Sequence, residues 1–82
     1  MSNTVEYLFA AHIDLANALA KAQGWRAYGR AQWLKREGCV VYFLSLPMQL
    51  EIVSAGETVH LIGQEPELLR VLKRHGVRVC RW

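Results

Sequence analysis

Cysteine, aspartate and long hydrophobic runs are scarce in this sequence, and each scarcity argues against a class of protein. Two cysteines, Cys39 and Cys80, are too few for a disulfide scaffold and lack the CxxC spacing of a zinc site. Each lies in an apolar run, where a buried free thiol is the usual state. The longest apolar run, residues 39–48, is too short to span a bilayer, and the first residues, with a glutamate and no basic cluster, lead us to expect no secretory signal. We therefore expect a soluble, cytoplasmic protein without membrane contact.

Motifs for catalysis, metal binding and cofactor binding are also missing. There is no GxSxG, HExxH or phosphate-cradling glycine loop, and the single aspartate, Asp14, falls on the polar face of a predicted helix. His12, His60 and His75 lack the i,i+4 or i,i+2 spacing that brings ligands together on a metal. We expect each to be a hydrogen-bonded structural histidine, with His12 and His75 on the apolar sides of their helices. A cysteine that opens a buried strand, as Cys39 does, is usually inert. We therefore predict no catalytic residue, no metal ligand and no cofactor.

The composition is apolar for so short a chain. Of 82 residues, 52% are hydrophobic and 21% are charged, with a net charge of +3. This length predicts a single domain over residues 1–82. A domain of this size has a large surface relative to its core. Either the core is dense, or apolar surface is left over for a partner.

Two segments predict helices. Over residues 4–23, apolar side chains recur at helical spacing, Asn3 and Glu6 suit a capping box, and Gly24 follows the last turn. The second is "EPELLRVLKRHG", residues 65–76, in which a proline suits the first helical position and basic residues occupy the last turn. Each pattern begins and ends with residues typical of helix termini.

Strands are predicted elsewhere. Residues 39–46, "CVVYFLSL", are typical of a buried central strand, and residues 49–53 and 58–62 flank a glycine turn in the pattern of a β-hairpin. Residues 77–82 alternate as a short terminal strand. Residues 25–37 fit either a strand or a helix that ends at a glycine, and their aromatic residues favour the strand.

These elements together predict an α+β fold. Its order is an N-terminal helix, an antiparallel β-meander of three to four strands, a second helix and a short C-terminal strand. Both helices are predicted to pack on one face of the sheet.

The central strand is apolar on both sides, which predicts a protein-binding surface. Two helices on one face leave the other face to be covered by a sheet bend, a second subunit or another protein. We predict that Trp33, Val41, Phe43 and Trp82 contact this partner. The first functional hypothesis is therefore a non-enzymatic interaction module, a small adaptor, subunit or inhibitor that binds through an apolar sheet face with a basic rim. We expect it to form a homodimer.

Basic residues support a second hypothesis. The stretch "WRAYGRAQW" combines aromatic and arginine side chains, which can stack on bases and contact phosphates, or can serve as core aromatics beside solvated charges. Residues 25–36 and 70–81 are basic, whereas residues 49–67 carry glutamates alone among charged residues. The alternative function is therefore nucleic-acid binding, with these side chains contacting phosphates or an acidic partner: Arg26, Arg30, Lys35, Arg36, Lys73, Arg74, Arg78 and Arg81.

Overall fold

The computed structural model describes residues 4–63 and 66–82, which form two α-helices, one 3-10 helix and a six-stranded sheet. In chain order the elements are β1 (Thr4–Phe9), α1 (Ile13–Ala22), β2 (Arg26–Gly29), β3 (Gln32–Arg36), β4 (Cys39–Leu44), the 3-10 helix (Pro47–Ile52), β5 (Thr58–Leu61), α2 (Pro66–Arg74) and β6 (Arg78–Arg81). The predicted α+β class is confirmed. Within the described ranges, no helix has the length and apolarity needed to cross a bilayer.

The sheet is mixed, so the predicted antiparallel meander is confirmed only for β2, β3 and β4. The strand order is β2-β3-β4-β1-β5-β6. The pairs β4–β1, β1–β5 and β5–β6 are parallel, whereas β3 is antiparallel to both β2 and β4. Parallel neighbours need crossover connections, and α2 supplies one between β5 and β6. The first residues of β4, β1, β5 and β6 therefore share one side of the sheet, which we call the amino edge. The opposite side is the carboxyl edge.

The two helices lie on opposite faces of the sheet, which corrects the prediction that both pack on one face. Leu8 and Val41 form a core with Ala16 of α1, and this side is called the α1 face. Tyr7 forms a second core with Leu72 of α2 and with the 3-10 helix, and this side is called the α2 face. Central strands that are apolar on both sides must be covered on both sides, so each face receives one helix.

The N-terminal segment is a strand followed by a helix, not one helix over residues 4–23. α1 begins after His12, its N-cap residue. β1 lies between β4 and β5, and burial on both faces gives it a nearly continuous apolar run. Periodicity alone does not distinguish such a run from a buried helix. Glu6, the predicted capping-box residue, is buried in β1, and Asn3 lies outside the described residues.

The predicted hairpin of residues 49–53 and 58–62 is also wrong. Residues Pro47–Ile52 form the 3-10 helix instead. The Oε1 atom of Gln49 accepts hydrogen bonds, each 2.9 Å long, from the two backbone N–H groups that precede Pro47. This capping turns the chain out of β4 at once, so residues 49–53 do not pair with β5. β5 pairs in parallel with β1 instead.

Other predicted elements are confirmed. β4 falls within the predicted central strand of residues 39–46, and β6 within the predicted terminal strand. The strand interpretation of residues 25–37 is correct, because β2 and β3 pair there as a hairpin. α2 falls within residues 65–76, of which residue 65 lies outside the described part of the chain, as does residue 64. Gly24 and Gly76 follow the two helices with φ of +77° and +73°, as expected of residues that end a helix.

Candidate functional site

A buried network of polar side chains lies on the α1 face, centred on Glu6. Glu6 projects from β1 and is 5% exposed, and His60 projects from β5 and is 2% exposed. Nε2 of His60 lies 2.5 Å from Oε1 of Glu6, and Nζ of Lys35 donates to the same oxygen over 3.2 Å. The indole Nε1 of Trp82 donates to the other ring nitrogen of His60, Nδ1, over 3.1 Å. We call these four residues the Glu6 network.

Burial and hydrogen bonding set the charges of the Glu6 network. Burial raises the pKa of Glu6, but hydrogen bonds from His60 and Lys35 together outweigh it, so the pKa of Glu6 lies below its usual value. Burial lowers the pKa of His60 and outweighs the opposing effect of the Glu6 carboxylate. At neutral pH the network therefore holds a carboxylate on Glu6 and a neutral imidazole on His60. Because Nδ1 accepts from Trp82, the imidazole proton lies on Nε2 and is donated to Glu6.

The geometry of His60 does not favour proton transfer to a substrate. A general base needs a ring nitrogen within reach of the group that it deprotonates. Nε2 of His60 faces Glu6, and Nδ1 accepts from Trp82. The Trp25 ring packs edge-on against the imidazole, with ring centroids 5.1 Å apart. The Glu6 network is therefore arranged to tie β1, β3, β5 and the last residue together.

The two cysteines have different environments. Cys39 is fully buried, as predicted, whereas Cys80 on β6 is exposed, which corrects the expectation that both are buried. Burial raises the pKa of the Cys39 thiol, and the nearby Glu6 carboxylate raises it further. A raised pKa keeps the thiol protonated, and a protonated thiol is a poor nucleophile.

The three histidines also differ in environment. His60 is buried and hydrogen-bonded, but His12 and His75 are exposed, so the expectation that both face the apolar side of a helix is wrong. His12 precedes the first turn of α1, and His75 follows the last turn of α2. Across residues 4–63 and 66–82, no three histidine, cysteine or acidic side chains are grouped so that they could hold a metal ion.

An apolar surface is incompletely covered on the α2 face, over β3, β4 and β1. Leu34, Val40 and Val5 lie side by side in register across these strands, and Tyr42 is two residues further along β4. All four side chains are half-buried. Leu34 and Val40 belong to neither of the two core clusters formed by the described residues. We call these four residues the apolar strip.

The apolar strip lies between a ridge on one side and strand β2 on the other, and each carries one charged residue. The ridge is the 3-10 helix, whose Ile52 is 62% exposed and whose Glu51 is also exposed. A cleft of about 480 Å³ lies between this ridge and the strands, lined by Ile52, Val5 and Tyr42 among others. On the opposite side, the exposed Arg26 of β2 is level with Leu34 of β3. The strip is therefore a low apolar surface beside a raised edge.

The four predicted partner-contacting residues lie on the other face or at its end. Trp33 and Val41 are buried beneath α1 and have almost no surface that a partner could touch. Phe43 is half-buried against Trp33, with ring centroids 6.5 Å apart. Trp82 is 48% exposed and packs on His60. The structure therefore does not bring these four side chains together on one open surface.

The sequence pattern does not single out the residues of the apolar strip, although one signal of an open apolar face is present. Val40 and Tyr42 alternate with Val41 and Phe43 on β4, so the sequence pattern predicts that both sides of this strand are apolar. Which side remains open depends on where the helices lie, and that follows from the strand order rather than from a local pattern. Glu6 was also missed, although a glutamate within an apolar run is itself a signal of a buried ion pair.

The predicted phosphate-contacting residues are only partly brought together. Arg36 and Arg78, from the two basic stretches, line one polar pocket at the amino edge. Arg26 lines an adjacent pocket with Arg36 and Lys35. The remaining four lie away from this region, with Arg30 in the β2–β3 turn, Arg81 at the last position of β6, and Lys73 and Arg74 in the last turn of α2.

Another cleft, of about 320 Å³, opens at the carboxyl edge between β1, the 3-10 helix and α2. Ligands of parallel sheets often bind at this edge. Its lining is apolar, with Ser45 contributing the one side-chain hydroxyl among the described lining residues. The cleft therefore does not present a set of polar groups that would orient a substrate.

No protein-family model, curated protein or solved structure matches the chain. The features of the molecule that bear on its function are the Glu6 network, the apolar strip and the polar pocket at the amino edge.

Proposed function

We propose that the protein is a non-enzymatic interaction module, a small subunit or adaptor, which docks through the apolar strip and whose partner is a second copy of the chain. The observation that carries this proposal is the position of Leu34 and Val40. They are half-buried apolar side chains on a sheet face, outside both cores, where no described helix covers them. Apolar surface gathered in one patch is typical of a site of association.

The raised edge beside the apolar strip favours a second copy as its occupant. In a symmetric dimer the same patch is used by both chains. When two copies face each other across a twofold axis parallel to the strands, the ridge of one copy lies over the open strands of the other. Ile52 of each copy would then contact Leu34 and Val40 of its partner, and each ridge would fill the low part of the opposite strip.

The charges beside the apolar strip support the same arrangement. Arg26 lies on the β2 side of the strip and Glu51 lies on the ridge side, and both are exposed. The same twofold axis places Arg26 of one copy near Glu51 of the other, twice in each dimer. A twofold axis perpendicular to the strands would instead place Arg26 near Arg26 and Glu51 near Glu51, and such like-charge contacts oppose association.

Two observations support a non-enzymatic role. The buried imidazole of His60 uses both ring nitrogens within the protein. The pKa of Cys39 is raised by burial, which disfavours the thiolate needed for nucleophilic attack. The interaction surface, in contrast, needs only shape, apolar area and charge, all of which are present beside the apolar strip.

The test is the solution mass of the wild type and of two matched variants. Val40→Lys places a charge in the apolar strip, and Val71→Lys places the same charge on the exposed surface of α2. Light scattering after size exclusion at micromolar concentration should give twice the chain mass for the wild type and Val71→Lys, but the chain mass for Val40→Lys. Circular dichroism should show that Val40→Lys remains folded. A monomeric wild type, or a dimer that is indifferent to Val40→Lys, overturns the proposal.

A further inference from the structure

We propose that the polar pocket at the amino edge is a phosphate-binding site, in which Arg36 and Arg78 hold the phosphate group of a ligand between them. The pocket measures about 370 Å³ and lies at the first residues of β1, β5 and β6. It shares only Val5 with the apolar strip, and neither Leu34 nor Val40 lines it. We call it the arginine pocket.

The arginine pocket is built from side chains that are distant in sequence. Glu6, Thr58 and Arg78 are partners in register on three neighbouring strands, so their side chains point to the same face. Arg36 reaches the pocket from the far side, at the last position of β3. Thr4, the first residue of β1, adds a second hydroxyl to the lining. The pocket therefore offers two guanidinium groups and two hydroxyl groups as hydrogen-bond donors.

The electrostatic balance of the arginine pocket favours an anion. Its buried carboxylate, Glu6, already accepts hydrogen bonds from Lys35 and His60. The other acidic lining residue, Glu57, precedes Thr58 and so points toward the opposite face. There the pKa of Tyr7 is raised mainly by burial and also by the negative charge of Glu57. Glu57 also accepts a hydrogen bond from the backbone N–H of Ser54, 2.6 Å away. The α1 side of the pocket therefore has positive charge in excess.

The two arginines are available for a ligand. Among the described residues, neither Arg36 nor Arg78 forms a salt bridge, and both side chains are exposed. Guanidinium groups match the geometry of phosphate oxygens and bind them with paired hydrogen bonds. A phosphate group between two arginines would neutralise charges that the fold holds together at one edge. The phosphate could belong to a small ester or to a nucleic-acid backbone, and the two sources differ in size.

The experiment uses the full chain and three probes: inorganic phosphate, adenosine monophosphate and an unphosphorylated oligothymidylate. Binding is followed by changes in the amide chemical shifts of residues 56–58 and 78. We expect saturable shifts at these positions with at least one probe. Shifts with the small phosphates alone identify a small ester as the ligand. Chemical-shift changes that also occur with the oligothymidylate identify a nucleic-acid backbone, provided that they increase with its length and decrease steeply with added salt.

Matched variants separate the arginine pocket from general positive charge. Arg36→Gln and Arg78→Gln should each weaken binding about tenfold or more, because each removes a charge-assisted contact. Arg30→Gln and Arg81→Gln remove the same charge at the carboxyl edge and should change affinity less than about twofold. Equal losses in all four variants, or no saturable shift with any probe, overturn the proposal. Because Val40→Lys leaves this pocket intact, failure here and failure of the dimer are distinguishable.

Discussion

Glu6 and His60 face each other from adjacent parallel strands, with Nε2 of His60 2.5 Å from Oε1 of Glu6. Both side chains are almost fully buried. Burying one of them without the other would leave an uncompensated polar group, which is strongly destabilising. The pair therefore fixes β1 against β5 at the centre of the sheet, where no disulfide links the strands.

The first prediction concerns the pH dependence of stability. Burial lowers the pKa of His60 in the folded protein, so below about pH 6.5 the unfolded chain binds a proton that the folded chain does not. The free energy of unfolding should therefore decrease as the pH is lowered from 7 to 5. One such proton contributes at most about 1.4 kcal/mol per pH unit. Below this range the lowered pKa of Glu6 acts with the same sign, since its carboxylate is stabilised only in the folded state.

Two variants isolate the contribution of His60. His60→Gln should lower the free energy of unfolding at pH 7. It should also reduce the further decrease in this free energy as the pH is lowered from 7 to 5. His75→Gln removes an exposed histidine at the end of α2 and should leave the wild-type slope. Urea unfolding at several pH values measures both quantities. A wild-type slope that persists in His60→Gln would contradict the assignment.

The second prediction concerns the hydrogen bond from Trp82 to His60. Trp82→Phe keeps an aromatic ring but removes the donor, which should cost about 1 kcal/mol of stability. It should also raise the pKa of His60, because protonation of Nδ1 no longer displaces an N–H donor. Nitrogen-15 shifts of the imidazole report both the proton on Nε2 and the pKa. In a His60→Gln background, Trp82→Phe should cost less, and equal costs in both backgrounds would show that the two side chains are not coupled.

The third prediction concerns thiol reactivity. Cys80 is exposed, whereas Cys39 is fully buried and burial raises its pKa. An aromatic disulfide reagent should therefore modify one thiol rapidly in the folded protein and the second only when urea is added. Cys80→Ser should abolish the rapid phase and Cys39→Ser should preserve it. Two thiols reacting at one rate under native conditions would show that β4 opens readily.

Much of the local structure was predictable from the sequence, because local signals decided it. A proline begins α2 and a glycine follows its end, and a continuous apolar run forms β4. β1 was mistaken for a helix because its burial on both faces removed the alternation that identifies a strand. The parallel pairing of β1 with β4 and β5 joins residues far apart in the chain, and no turn signal encodes it.

The candidate sites depended on those long-range pairings. Glu6, Lys35 and His60 are brought together only when β1 lies between β4 and β5. Arg36 and Arg78 were predicted as phosphate contacts from charge alone, but their meeting at one edge follows from the strand order. The proposed docking face is also the side of β4 opposite to the one that the sequence predicts, because α1 covers Trp33 and Val41.

The central claim, that the apolar strip of one copy receives the ridge of another, is tested most directly by charge reversal across the dimer. Arg26→Glu and Glu51→Arg each place like charges at the proposed contact, so sedimentation equilibrium should show that each variant alone dimerises more weakly than the wild type. An equimolar mixture should recover dimer as the heterodimer, in which both contacts again pair opposite charges. If the mixture remains as dissociated as the separate variants, or if neither substitution changes the dimerisation constant, the ridge-to-strip arrangement is contradicted.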